Sequence, residues 1–181
     1  NGLTIISISS GPGEIAATPL QIANLGASIA NRGYFITPHI VKEIEDNPLD
    51  TLYTSRRYTG IDRAHYDEVV KGMRAAVTGS TGSATCRMVG TILPGVEACG
   101  KTGTAQNRGK DHSVFMGFAP MDNPKIAIAV YVENGGFGAV YGVPIGAMMM
   151  DQYLHGKLSP QNEALAEEFS NREIFYSNEE R

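Results

Sequence analysis

No window of this sequence approaches the ~18 consecutive apolar residues that a membrane-crossing helix requires. The opening NGLTIISIS also lacks the basic n-region of a secretory leader. A basic excess is missing too. The formal net charge is -4, where a nucleic-acid binder would carry a basic patch or stripe. Metal-ligand spacing is absent. His39, His65, His112 and His155 are scattered, and two cysteines cannot build a zinc site by themselves. Cys86 and Cys99 read as free buried thiols. A disulfide across the gap of 12 residues is the alternative in an oxidising compartment. The chain does not begin with Met, so it reads as processed or as an excised piece of a longer polypeptide.

What is present fits one domain. The length is 181 residues and 42% are hydrophobic, enough for a sizeable core. The charge sits at one end. From Ser159 onward the acids are Glu163, Glu167, Glu168, Glu173, Glu179 and Glu180 against Arg172 and Arg181, so the rest is formally neutral. Residues 1–158 therefore read as the folded part, and 159–181 as an acidic, solvated, partly ordered tail.

LTIISIS suggests a short strand or buried edge, and SSGPGE breaks regular structure. ATPLQIANLGASIANRG reads as a largely buried helix. Thr18 is its N-cap, Pro19 its N1 residue and Gly33 its C′ residue. Gln21, Asn24, Ser28 and Asn31 form its narrow polar stripe. YFITPHIVKEIE reads as extended and Asp46 to Gly60 as a surface connection. DRAHYDEVVKGMRAAVT reads as a second helix, with Tyr66, Val69, Val70, Met73 and Val77 facing inward. GSTGSAT reads as a loop. VEACGKTGTAQ, HSVFMGFAP and KIAIAVYVEN then follow as three strands. The connections NRGKD and MDNP are too short for crossover helices, so neighbours are antiparallel. GGFG is a flexible turn. VPIGAMMMDQYLHG is a last apolar helix whose methionines read as core packing. The class is α+β, an antiparallel sheet covered by helices. Three strands are few for that many apolar helices, which hints at strands outside the chain.

The chemistry concentrates in CGKTGTAQN, Cys99 to Asn107. On a strand, Lys101 and Gly103 point to one face, while Thr102 and Thr104 point to the other. Gly100 and Gly103 remove bulk beside the lysine, so that an extended peptide can lie along the strand as an added edge. Lys101 supplies a positive charge for a carboxylate or a neighbouring hydroxyl. A threonine hydroxyl binds a terminal carboxylate, and a free backbone N–H supplies half of an oxyanion hole. That set suits acyl transfer on a peptide with a free C-terminus. A bare KTG triplet is more often a solvent-facing lysine in a glycine-rich edge strand, so the weight comes from its surroundings.

GEIAATPLQIANLGASIANRG, LPGVEACGKTGTAQN and KDHSVFMGFAPMDNPKIAIAVYVENGGFG together resemble the penicillin-binding proteins, specifically the class B peptidoglycan transpeptidases of the elongation type. The resemblance runs from about Leu3 to Leu158. It implies a partial penicillin-binding, serine β-lactamase-like fold. Lys101 would belong to the charge and hydrogen-bond network beside a nucleophilic serine. Thr102 and Thr104 would hold the carboxylate of a D-Ala-D-Ala stem peptide or of a β-lactam. Gly103 would permit close approach, and the Thr104 N–H would be one oxyanion donor. GPGE stands where the family has GQGE, Ser10 where an apolar residue is usual, and Val114 where an aromatic residue is frequent.

The family also needs S-x-x-K and S-x-N. No serine here has Lys three residues on or Asn two residues on. The chain therefore reads as the C-terminal half of a transpeptidase domain, inactive alone and prone to self-association, whose partner is the missing N-terminal half. No metal, organic cofactor or nucleic acid is implied. The parent would sit in the bacterial cytoplasmic membrane with this domain on its outer side. A D,D-carboxypeptidase or β-lactamase-type hydrolase shares the fold. A non-catalytic penicillin-binding or sensor module fits the absent S-x-x-K equally well.

Overall fold

The computed structural model describes residues 16–79, 85–106 and 108–175. The LTIISIS strand, the GPGE turn and most of the GSTGSAT loop lie outside these. Helix α1 spans Pro19–Ala30. Its start is a capping box: Thr18 Oγ1 accepts from the Gln21 N–H, and the Thr18 N–H donates to Gln21 Oε1. Its end departs by one residue from the sequence reading. Asn31 is the C-cap, Arg32 takes the left-handed C′ position at φ 58, and Gly33 follows at φ 113. The N–H groups of Arg32 and Gly33 donate to the carbonyls of Ile29 and Ser28, which is a Schellman closure. Arg32 tolerates this backbone because its side chain is held three ways, by Asp67, the Ala30 carbonyl and the Met121 carbonyl. The stripe also needs correction. Ser28 is buried, its hydroxyl donating to the Asn24 carbonyl, whereas Leu20 and Leu25 are exposed. The helix is buried along one side rather than nearly all round.

The extended segment after α1 shortens to β1 (Tyr34–Phe35), which pairs antiparallel with β2 (Arg57–Tyr58). Between them lies a single-turn helix α2 (Thr51–Thr54), in what the sequence showed only as a surface connection. Helix α3 (Arg63–Thr78) buries Tyr66, Val70, Met73 and Val77, while Val69 lies outside that face. A short helix α4 (Arg87–Ile92) precedes the main sheet; the sequence reading contains no such element.

The sheet is β3 (Cys99–Ala105), β4 (His112–Ala119) and β5 (Ile126–Val132), antiparallel in that order. Helix α5 (Gly142–His155) follows, and α6 (Pro160–Ser170) occupies the stretch read as a solvated tail. Helices α1 and α3 cover one face, where Cys99 and Phe118 pack with Ile29, Tyr66, Val70 and Met73. Helices α4 and α5 cover the other, around Phe115, Ile128 and Val130. Burying each phenylalanine contributes ~2–3 kcal/mol. The α+β architecture, an antiparallel sheet covered by helices, is as the sequence indicates.

Candidate active site

The KTGT segment lies on β3, an outer strand of the sheet. Its inner neighbour fixes its facing: Lys101 pairs with Met116, Thr102 with Phe115, Gly103 with Val114 and Thr104 with Ser113. Cys99, Lys101 and Gly103 thus share the α1–α3 face, and Gly100, Thr102 and Thr104 the α4–α5 face. Lys101 and Thr104 are exposed, while Thr102 and Gly103 are half-buried. One side of β3 is occupied by β4, and among the described residues nothing pairs with the other. The four motif residues are thus together on an accessible edge.

Lys101 Nζ donates to the Thr102 carbonyl at 2.6 Å, so the ammonium lies back along its own strand. No carboxylate pairs with it among the described residues. Its charge reaches the buried Cys86. Burial pushes the Cys86 thiol up, and the Thr85 hydroxyl and Lys101 pull the other way. Cys86 and Cys99 are free thiols, both buried.

The two glycines flanking the lysine do different jobs, which corrects the sequence reading for Gly100. Gly100 is buried, and a Cβ there would come 2.7 Å from the Phe115 ring and 3.3 Å from Cys86 Sγ. It makes room for the core. Phe115 is lodged in a hollow that Gly117, Gly142 and Gly146 also keep clear. Gly103 is half-buried, and its nearest neighbour is Val114 at 3.3 Å. A Cβ at Gly103 would press on Val114 alone, outside the aromatic core that Gly100 serves.

The turn after β5 is part of the same neighbourhood. Ser113, fully buried opposite Thr104, donates to the Phe137 carbonyl at 2.9 Å and accepts from the Gly142 N–H at 3.0 Å. This pegs GGFG, residues 135–138, over the end of β4. Sequence reasoning treated GGFG as a flexible turn; its glycine density was the available signal. His112 accepts from the Asn134 N–H through Nδ1 and lies 5.2 Å from the Tyr131 ring, a structural role.

Residues 3–151 match the penicillin binding protein transpeptidase domain. The chain belongs to the penicillin-binding protein transpeptidase family. It is 31% identical to the peptidoglycan D,D-transpeptidase MrdA of Haemophilus influenzae over 177 residues, covering 87% of this chain and 27% of that relative. It therefore spans about a quarter of the length of the curated relatives it matches. Pseudomonas aeruginosa PBP2, solved in complex with WCK 5153, has a TM-score of 0.74 and 39% identity over 87% of this chain and 34% of that one. Penicillin-binding protein A from M. tuberculosis, solved as an imipenem acyl-enzyme, has a TM-score of 0.66 and 29% identity over 82% of this chain and 33% of that one. The resemblance to elongation-type class B transpeptidases is borne out. The chain carries part of the transpeptidase fold.

Proposed function

We propose that these residues are the C-terminal half of a peptidoglycan D,D-transpeptidase domain that cross-links stem peptides through a serine acyl-enzyme. The observation that carries this reading is KTGT on an outer edge of β3 with which nothing pairs among the described residues. A stem peptide adds along that edge. Thr102 and Thr104 hydroxyls take its terminal carboxylate, Gly103 leaves room for its backbone, and Lys101 supplies positive charge beside the nucleophile. The Thr104 N–H is one oxyanion donor. The serine Oγ attacks the penultimate D-Ala carbonyl, and the terminal D-Ala leaves with a proton. An acceptor amine then attacks the ester and releases the serine. A β-lactam takes the same route, but its opened ring stays attached.

The S-x-x-K serine comes from the other half of the domain, and the 181-residue polypeptide alone is inactive. The complete polypeptide sits in the cytoplasmic membrane with this domain outside. Among the described residues no helix is long and apolar enough to cross a membrane. The names of the relatives favour transfer over hydrolysis.

Intact mass spectrometry after incubation with benzylpenicillin tests both points. The complete polypeptide gains one penicilloyl group and the 181-residue chain gains none. An adduct on the short chain overturns its inactivity, and no adduct on the complete polypeptide overturns the acyl-enzyme reading.

A further inference from the structure

Gly138 has no left-handed backbone to explain it, because the positive-φ glycines of the described residues are Gly33, Gly60, Gly95, Gly136 and Gly156. What it lacks is space. A Cβ there would collide with the Val114 carbonyl oxygen, would come 2.7 Å from the Gly103 carbonyl oxygen, and would meet Thr102 Cβ at 3.0 Å. Two of these neighbours belong to the KTGT strand. The Gly103 carbonyl shares a peptide plane with the Thr104 N–H, and in a trans peptide the two point in opposite directions. With the carbonyl aimed at Val114 and Gly138, the N–H is aimed at the open edge of β3.

We infer that Gly138 is a positioning residue. Its bare Cα lets the 135–138 turn bear on the Gly103–Thr104 peptide and fixes the direction of the Thr104 N–H. Ser113 is the peg, since its hydroxyl joins the Phe137 carbonyl to the Gly142 N–H on either side of Gly138. The inference rests on the transpeptidase reading, in which that N–H stabilises the oxyanion. A side chain at 138 would tilt the peptide and misdirect the donor. Loss of one oxyanion donor costs about 100- to 1,000-fold in the chemical step, and misdirection costs a part of that.

The test is stopped-flow acylation of the complete polypeptide by a chromogenic cephalosporin, resolving the acylation rate constant, the encounter dissociation constant and the burst amplitude. Gly138→Ala is expected to lower the rate constant about 10- to 100-fold, with the dissociation constant within about threefold. Amplitude reports the folded fraction, so partial misfolding lowers it without moving the rate constant. Gly72→Ala, where nothing lies within 4 Å of the added methyl, is expected to behave as wild type. If Gly138→Ala does not fold, Ser113→Ala decides, with an expected loss of about 3- to 10-fold in the rate constant. A rate constant within twofold of wild type in the folded variant overturns the inference, as does a loss carried wholly by the dissociation constant. An unreactive wild-type polypeptide overturns the transpeptidase reading itself.

Discussion

Cys99 shows how much one buried group on this strand imposes. Its thiol is fully buried under α3, and burial raises it from the ordinary 9.0 to about 11, against the opposing pull of Arg74 and Arg32. The folded chain keeps the proton up to about pH 11, while the unfolded chain releases it from about pH 9. Between those values the unfolded state binds fewer protons, so stability falls as pH rises. It is fully present below about 9. Across the window the loss is on the order of 2 kcal/mol. Urea melts at pH 8.5 to 11 are expected to show a shallower decline for Cys99→Ala than for wild type; parallel curves would remove Cys99 as the cause. Lysine and tyrosine titrations are common to both proteins and cancel in the comparison. At this scale the sequence was legible where a residue's role depends on its neighbours along the chain. Thr18 and Pro19 are read correctly because capping is local. Gly100 is not, because Phe115, distant along the chain, decides its role. Packing of that kind leaves no mark on the spacing.

At the level of elements, the long periodic segments were legible and the short ones were not. The three strands emerge from their close succession and the brief turns between them. Helix α3 and helix α5 emerge from their apolar spacing. Helix α4 has six residues, too few for a period to declare itself. Helix α6 was hidden by its charge, which lies on its outer side, while Leu165, Ala166 and Phe169 pack inward. What fastens it is Asn162, buried at the first turn. Its amide donates to Asp151 Oδ2 at 2.7 Å and to the Ile92 carbonyl at 2.9 Å. This joins α6 to α5 and to the last residue of α4. Asn162→Ala would leave a nearly buried carboxylate short of a donor and a carbonyl unsatisfied. His155 would remain as the partner of Asp151 Oδ1. The expected cost is about 2 kcal/mol. Hydrogen exchange is expected to speed up first in α6; an unchanged exchange pattern would show that apolar contacts alone hold the helix.

Considered as a whole, the molecule covers both faces of its sheet and leaves apolar surface elsewhere. A sheet cut off from further strands would be expected to expose an apolar face and an edge to a second copy. Phe115, Phe118, Ile128 and Val130 are buried instead, each under helices. Edges remain open, since among the described residues neither β3 nor β5 has an outer partner. The larger exposure is the excursion between β1 and β2. There Ile40 is wholly exposed, and Ile36, Val41, Ile44 and Leu52 are exposed too. A groove of about 510 Å³ between α5 and α6 is lined by Ile145, Met148, Met149 and Leu158. If copies of the chain associate, the exposed aliphatic side chains of this short excursion are the expected contact. Light scattering of the 181-residue chain is expected to show mass rising with concentration. The double variant Ile40→Ser, Ile44→Ser is expected to shift the chain toward monomer without altering its melting temperature by more than a few degrees, since exposed side chains contribute little to folding. Unchanged association in that variant would move the contact to the strand edges, where backbone groups rather than these side chains hold the copies together. A wild-type chain that stays monomeric at high concentration would show that neither surface binds a second copy.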